Sequence, residues 1–191
     1  ITKHVTRMIE ATGKIAIACG DTSGFVLNRQ SLPYMNEAVR CLEDTLADTA
    51  TIDEVARTEL GVGLGPFAVM NLVGLPIMAA ASHNLAVLGD GYEPAALLQS
   101  QSKEADPTWV IADTGAKEAK AMSSHSVIAE RLRAAMIFPG RDILNHNLVA
   151  EESLTVICKQ ALGYQTSSPE LLKQLGDAES TRLIDEYLAR L

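Results

Sequence analysis

An internal repeat is the feature that most constrains how this chain can fold. Arg29 and Arg131 are 102 residues apart. When the second half is aligned with the first at this offset, residues at turns and in the core match without a gap. The other matched pairs are Leu42 with Leu144, Ile52 with Leu154, Val55 with Ile157, Leu60-Gly61 with Leu162-Gly163, and Gly74 with Gly176. Amphipathic helices match at apolar positions by chance, but Leu-Gly turns and later glycines at one shared offset favour a true duplication.

Both halves carry apolar residues every three or four positions, which predicts helices. Thr51-Ile-Asp-Glu54 has the form of a capping box, and Ser168-Pro-Glu170 that of an N-cap followed by proline. Pro139 should kink or split the long helix of the second half, because an internal proline loses a backbone bond. The predicted helices cover about residues 24–46, 51–60, 66–73, 76–88, 126–144, 151–162 and 177–190.

The N-terminal residues predict a short helix and then a strand. Residues 1–12 place apolar side chains on one helical face, and Ile15-Ala-Ile-Ala-Cys19 is a short apolar run between Gly13 and Gly20. The chain opens with Ile1 inside an amphipathic pattern and lacks a secretory leader. We therefore expect a piece excised from a longer protein, with the strand left over from a missing sheet.

The expected fold is all-α: two similar helical units related by a pseudo-twofold axis, with one short leftover N-terminal strand. The remnant covers residues 1–20, the first unit 21–105, a linker 106–124, and a degenerate second unit 125–191. The linker lies in the polar stretch with the weakest periodicity, which contains Pro107 and Gly115.

Charge and hydropathy exclude two classes of partner. The chain has 16 Lys and Arg against 24 Asp and Glu, a formal net charge of -8, which opposes binding to a phosphate backbone. The most apolar region, Phe67 to Ala81, is shorter than the roughly 18 apolar residues that a membrane-spanning helix needs. We expect neither a nucleic-acid partner nor membrane insertion.

Three cysteines, Cys19, Cys41 and Cys158, are an odd and widely separated set. Apolar surroundings favour reduced core thiols over a disulfide framework, and hence a cytoplasmic location.

Two motifs in the first half resemble the opening of the C-terminal domain of 3-hydroxyacyl-CoA dehydrogenases. They are Asp21-Thr-Ser-Gly-Phe-Val-Leu-Asn-Arg29 and Pro33-Tyr-Met-Asn-Glu-Ala38. The resemblance continues through Ile52-Asp-Glu, Leu60-Gly-Val-Gly-Leu-Gly-Pro-Phe67 and Leu72-Val-Gly-Leu75. It covers about residues 1–90 well, and 126–176 as a degenerate second copy.

This resemblance implies the C-terminal part of an enzyme that oxidises 3-hydroxyacyl-CoA to 3-oxoacyl-CoA with NAD, in fatty-acid β-oxidation or related acyl-CoA metabolism. Tandem copies are typical of multifunctional fatty-acid oxidation proteins. The family's histidine base, its orienting glutamate and its NAD-binding glycine turn belong to a separate nucleotide-binding domain. The resemblance therefore implies that this chain alone binds no cofactor and is inactive, and that its partners are the acyl-CoA substrate and its own nucleotide-binding domain.

Gly61-Val-Gly-Leu-Gly is not the NAD-binding turn, since a helix precedes it and a proline follows.

One catalytic position carries over from the resemblance: Asn28, whose amide would lie near the 3-oxygen of the substrate. The alternative is that Asn28 only caps a helix. At the same place in the second copy stands Glu130, so that copy would serve packing only.

Other polar residues suggest structural roles. Arg29 is interpreted as one partner of an ion pair with a neighbouring helix, because Arg131 persists in the second copy, although an anion-binding role stays open. The histidines lack metal-ligand spacing, and the paired serines lack a nearby base. These residues are His4, His83, His125, His146, Ser123-Ser124 and Ser167-Ser168.

The sequence departs from the family where the first copy ends. A glycine- and lysine-rich stretch with a terminal aromatic is absent, and only Trp109 stands near that place. Single-copy family members use the same helical surface to form homodimers, so a tandem chain would satisfy it internally, with a homodimer as the other possibility. Rival functions are a non-catalytic helical dimerisation module and the equivalent domain of a different hydroxy-acid dehydrogenase.

Overall fold

The computed structural model describes residues 2–111 and 118–191, and within them the chain is helical. The helices are α1 (Thr2–Glu10), α2 (Phe25–Glu43), α3 (Thr49–Leu60), α4 (Pro66–Val73), α5 (Leu75–Leu85), α6 (Ala96–Gln101), α7 (Glu118–Asn145), α8 (Glu151–Val156) and α9 (Ser168–Ala189). Short 3-10 turns cover Ala86–Leu88 and Asp90–Tyr92, and a π-helical turn, Ile157–Ala161, extends α8. The all-α prediction is confirmed. Part of the predicted linker, residues 112–117, lies outside the described residues.

The predicted N-terminal strand is wrong. Residues 14–22 form no strand, and no strand occurs anywhere in the described ranges. A strand needs a neighbouring strand to pair its backbone groups, and here the Gly20 N–H donates instead to the Leu148 carbonyl at 2.9 Å. The apolar run is therefore coil, and Gly20, which follows it, is hydrogen-bonded to the second half of the chain.

Several helix ends differ from the predicted ones. The N-cap of α3 is Asp48, whose carboxylate accepts from the Thr51 N–H at 2.8 Å, so the predicted capping box at Thr51 is wrong. A capping box does form at the start of α9, between Ser167 and Glu170, one residue before the predicted cap. Pro139 does not split α7, which continues through it.

Helix α7 lies at the centre of the fold, packed against α2 on one side and α9 on the other. The largest fully buried side chains include Phe67, Ile52 and Leu132. The buried Gln30 amide on α2 donates to the Met136 carbonyl at 2.9 Å and to the Ser168 hydroxyl at 2.6 Å. A polar bond thus joins α2, α7 and α9 inside the apolar core, where an unpaired amide would be costly.

Reciprocal backbone contacts join the two halves. The Gly63 N–H donates to the Gly163 carbonyl at 3.1 Å, and the Gln165 N–H donates to the Gly61 carbonyl at 2.9 Å. Shifting by 102 converts Gly63 to Gln165 and Gly163 to Gly61, so each bond is the counterpart of the other. Between these residues, Val62 and Tyr164 form an antiparallel bridge. Twofold exchange of the halves would produce this pattern, while the overall pseudo-twofold axis stays a prediction.

A buried ion pair crosses between α2 and α7. Glu37, fully buried on α2, accepts from Arg131 Nε at 2.7 Å. Arg131 also donates to the half-exposed Asp44 at 2.6 Å. Removing one member of such a pair leaves a buried charge without compensation.

Within the described residues, no single helix has the length and apolar composition to cross a bilayer. Helix α4 and the segment Leu75–Leu88 satisfy that test only when taken together, and they meet at an angle of 103°.

The first prediction concerns Glu37. Glu37→Gln should lower the free energy of unfolding by about 3 kcal/mol, because it removes the charge of the fully buried carboxylate that Arg131 contacts. Denaturant titration measures this loss. The control is Glu130→Gln, which breaks an exposed pair with Arg182 and should cost less than about 1 kcal/mol. Equal losses of unfolding free energy in the two variants would contradict a stabilising role for the buried ion pair of Glu37 and Arg131.

The second prediction concerns pH. The hydrogen bond from Lys159, followed by those from the Ser167 backbone and hydroxyl, lowers the pKa of Glu170 from 4.5 to about 2. A lowered pKa in the folded state contributes stability above pH 4.5 that is lost as the pH falls toward 2. The melting temperature of the wild type should therefore fall more steeply across that pH window than the melting temperature of Glu170→Gln. Parallel pH curves would refute the coupling.

Candidate functional site

The first turn of α2 is fixed by a close approach to the end of α5. Gly24, the residue before α2, has φ 70° and ψ 4°, in the left-handed region. A Cβ at Gly24 would lie 2.6 Å from Leu85 Cδ2 and 3.2 Å from Asn28 Cβ. Glycine therefore permits both the backbone turn and the contact with α5, and this contact sets where Asn28 emerges.

Asn28 lies on the solvent side of this turn. Its side chain is exposed, and the amide has no hydrogen-bond partner among the described residues. Helix α2 begins at Phe25 with Gly24 as its N-cap, so Asn28 lies inside the helix and does not cap it. The amide is therefore able to donate a hydrogen bond to a molecule bound at this surface.

Apolar side chains flank the amide. Phe25 and Leu27 are 60% and 43% exposed, although both lie in the first turn of a helix whose middle is buried. Exposed large apolar residues beside an unpaired amide are typical of a surface that another molecule covers.

Arg29 points the other way, into the interface between α2 and α7. Its Nε lies 2.9 Å from Asp142 Oδ2 and 3.1 Å from the Tyr92 hydroxyl, and its Nη1 lies 2.9 Å from the Thr22 hydroxyl. A further charged contact joins Arg29 Nη2 to Asp142. The predicted ion pair with a neighbouring helix is confirmed, and the guanidinium is already occupied by protein groups.

Two members of this cluster, Arg29 and Tyr92, hold their protons more tightly than usual. Burial opposes the charge on Arg29, but the hydrogen bond to Asp142 and the nearby Tyr92 outweigh it and raise its pKa. Burial, and then the hydrogen bond to Asp142, raises the pKa of Tyr92 well above its usual value. The cluster is thus an ion pair with a neutral phenol beside it, and the exposed His146 adjoins it, with Nδ1 3.0 Å from Asp142 Oδ1.

Sequence reasoning missed Tyr92 and Asp142. Tyr92 lies in a 3-10 turn, within a stretch whose hydrophobic periodicity is weak. In sequence, Asp142 is indistinguishable from the other polar residues of an amphipathic helix. Separations of 63 and 113 residues from Arg29 leave no local pattern that could pair them. The repeat offered the only signal, since it placed arginines at equivalent points of both units.

The glycine turn before α4 does not fit a dinucleotide. A Cβ at Gly65 would lie 2.2 Å from Asp53 Cγ, so a carboxylate fills the space that a phosphate would need. The Asp53 oxygens accept from the N–H groups of Phe67 and Ala68 at 2.8 and 3.0 Å. The first N–H groups of α4 are therefore already satisfied, and the residues present do not form an NAD site.

The remaining candidates do not come together. His4, His83 and His146 are exposed and His125 is half-buried. Across residues 2–111 and 118–191, no group of His, Cys, Asp and Glu is arranged to hold a metal ion. Cys41 and Cys158 are buried as expected, but Cys19 is exposed, because the segment around it is coil and not core.

Known proteins are similar in sequence to the part of this chain that contains the candidate site. Residues 24–109 match the sequence model of the 3-hydroxyacyl-CoA dehydrogenase C-terminal domain. A probable 3-hydroxybutyryl-CoA dehydrogenase of Deinococcus radiodurans is 34% identical over 97 residues, 50% of this chain and 35% of that protein. A probable 3-hydroxybutyryl-CoA dehydrogenase of Bacillus subtilis is 36% identical over 101 residues, 52% of this chain and 35% of that protein. The matched region thus spans about a third of the length of these relatives.

A solved structure extends the likeness to both halves. The crystal structure of 3-hydroxybutyryl-CoA dehydrogenase from Escherichia coli K12 superposes with a TM-score of 0.78 at 14% identity. The superposition covers 98% of this chain and 60% of that one. At this identity the likeness shows the fold, and it includes residues of both halves of this chain.

The neighbours Asn28 and Arg29 generate a paired stability prediction. Asn28→Ala should change the free energy of unfolding by less than about 0.5 kcal/mol, because the side chain is exposed and makes no bond within the described residues. Arg29→Ala should lower it by about 3 kcal/mol, because Asp142 and Tyr92 lose their buried partner. Denaturant titration of both variants measures the difference. A destabilised Asn28→Ala would mean that the amide has a structural role.

Proposed function

We propose that this chain, whose residues 24–109 match the sequence model of the 3-hydroxyacyl-CoA dehydrogenase C-terminal domain, forms the helical wall of the substrate cleft in such an enzyme. The parent protein would oxidise a 3-hydroxyacyl-CoA to the 3-oxoacyl-CoA with NAD bound by another domain. The observation that carries the proposal is the exposed amide of Asn28, which has no hydrogen-bond partner within the described part of the chain and stands where the family resemblance puts a substrate contact.

Asn28 would act on the 3-oxygen of the substrate. As that oxygen gains negative charge, a neutral N–H donor held on a helix stabilises it without taking a proton from the base. The rigid first turn of α2, fixed by the contact of Gly24 with Leu85, supports this role because it holds the donor in place. Phe25 and Leu27 would exclude water from the same surface.

The N-terminal segment supports a second domain as partner. Helix α1 has no buried residue, and Val5, Met8 and Ile9 on it are exposed together with Ile15. A cavity of about 450 Å³ lies between α1 and residues 15–18. We propose that the parent's own nucleotide-binding domain covers this apolar surface.

The second unit would act as scaffold. In place of Asn28 it carries Glu130, which forms an exposed ion pair with Arg182 at 2.8 Å. The proposed division is a remnant at 1–20, a first unit at 21–105, a linker at 106–124 and a second unit at 125–191. The reciprocal bonds between Gly63 and Gly163 and between Gln165 and Gly61 support internal pairing in place of a homodimer.

A reducing compartment such as the cytoplasm is part of the proposal. Cys41 and Cys158 are buried and unpaired. Burial raises the pKa of the Cys41 thiol to about 12, which keeps it protonated and unreactive.

Turnover tests the role of Asn28. When this chain is combined with the parent's nucleotide-binding domain, Asn28→Ala should lower kcat for 3-hydroxyacyl-CoA oxidation by roughly 10² to 10³, the usual loss for a donor at a developing oxyanion. NADH absorbance measures the rate.

Asn145→Ala, at an exposed asparagine at the end of α7, is the matched control and should leave kcat unchanged. Equal rates for Asn28→Ala and wild type would exclude an active-site role for the amide. Absence of turnover in the wild-type mixture would favour a non-catalytic helical module.

A further inference from the structure

Helix α9 repeats α4 and α5 at the offset of 102 residues. Helix α4 covers Pro66–Val73 and α5 begins at Leu75, with Gly74 at φ 98° between them. In α9, which begins at Ser168, Gly176 at φ 74° breaks the helix at the matching position. Residues 177–187 therefore correspond to α5, and the exposed sides of the two helices can be compared position by position.

One row of exposed residues on α5 is apolar apart from a single amide. Ile77 and Val87 are 62% and 78% exposed, and Ala80 and Asn84 between them are also exposed. These residues are three or four positions apart, so they lie along one side of the helix and of the 3-10 turn that extends it. The side-chain amide of Asn84 has no hydrogen-bond partner in the described ranges.

The matching row on α9 is charged. The residues at the places of Ile77, Ala80 and Asn84 are, in order, Glu179, Arg182 and Glu186. Arg182 lies 2.6 Å from Glu179, and all three side chains are about half exposed. Since the second half folds with a charged row at these places, folding does not require the apolar row of α5. Exposed apolar side chains in a row are typical of a surface that another molecule covers.

One guanidinium shows how close the counterparts of Asn28 and of the α5 amide are. Arg182 Nη2 lies 2.8 Å from Glu130 Oε1, and its Nη1 lies 2.7 Å from Glu186 Oε1. Glu130 is the counterpart of Asn28, and Glu186 that of the α5 amide. In the first half the arginine is replaced by Ala80. On equivalent backbone, the two amides therefore lie on either side of a space that the alanine leaves open.

A contact within the first half supports the same placement. A Cβ at Gly24 would lie 2.6 Å from Leu85 Cδ2 and 3.2 Å from Asn28 Cβ. The first turn of α2 thus meets the end of α5 beside Asn28. Leu85 is fully buried in this contact and Asn84, the residue before it, is exposed. The buried leucine fixes the rotation of α5 at the point where the second amide emerges.

We propose that Asn84 is a second substrate-binding residue, whose amide donates a hydrogen bond to the thioester carbonyl oxygen while Asn28 donates to the 3-oxygen. This inference rests on the proposed function. In a 3-hydroxyacyl thioester these two oxygens stand on carbons separated by a single methylene, so amides on either side of one space bind both. Ala80 leaves the room that the thioester occupies. An amide that a bound molecule covers needs a partner, because an unpaired buried amide is costly.

The two amides have different kinetic roles. The 3-oxygen changes charge during the oxidation, whereas the thioester carbonyl oxygen is a neutral acceptor before and after it. A bond from Asn84 is therefore equally strong in the ground state and in the transition state. Loss of such a bond raises KM and leaves kcat unchanged, whereas loss of the bond from Asn28 lowers kcat.

Steady-state kinetics of the intact parent enzyme with 3-hydroxybutyryl-CoA test this assignment. Asn84→Ala should raise KM roughly three- to tenfold, the usual range for one neutral hydrogen bond, with kcat retained. Asn84→Asp keeps the shape of the side chain but removes its N–H donors, so KM should rise at least as much. His83→Ala, at the exposed residue before it, is the matched control and should change neither constant.

Two inhibitors separate a thioester contact from a structural role. They are acetoacetyl-CoA and S-(3-oxobutyl)-CoA, a thioether in which a methylene replaces the thioester carbonyl. Asn84→Ala should weaken inhibition by acetoacetyl-CoA several-fold and leave inhibition by the thioether unchanged. Equal weakening of both would overturn the contact and would indicate that Asn84 binds the nucleotide-binding domain instead.

The kinetic outcomes also separate this inference from the proposed function. If Asn28→Ala lowers kcat while Asn84→Ala leaves KM unchanged, the role of Asn84 is overturned and the proposed function stands. If Asn28→Ala leaves kcat unchanged, the proposed function is overturned, and the role of Asn84 that rests on it is overturned as well.

Discussion

Two buried arginines that cross between α2 and α7 in opposite directions determine how the molecule is assembled. Arg29 on α2 reaches Asp142 on α7, and Arg131 on α7 reaches Glu37 on α2. If one helix shifted along the other, both buried arginines would lose their carboxylate partners. An unpaired charge in low-dielectric surroundings is costly in free energy. The pair thus fixes the register of the central helices. With Arg29 held inward, its neighbour Asn28 faces solvent.

The helical fold was predictable because the apolar spacing of each segment follows the helical period and the glycines lie at helix ends. The ends themselves were less predictable. Asp48 takes the N-cap role from Thr51 because the helix begins three residues earlier, at Thr49. The apolar run at Ile15 has the composition of a strand, but whether it becomes one depends on a partner strand that local sequence does not describe. The π turn after α8 likewise has no local signature that we recognised.

The candidate site likewise contains residues that the sequence predicted and residues that it did not. Asn28 was predicted from a contiguous motif, and the ion pair of Arg29 from the arginine at the matching place in the second half. Tyr92 and Asp142 escaped notice since their bonds to Arg29 span 63 and 113 residues.

The exchanged bonds between the turns at Gly61 and Gly163 have a consequence for cooperativity. Each turn satisfies backbone groups of the other, so neither half can melt without exposing unpaired amides in its counterpart. Coupling of this kind favours joint unfolding of the two halves over melting of one half alone. Because the two halves are joined in one chain, their association does not depend on protein concentration, so it persists at dilutions where two separate chains would part.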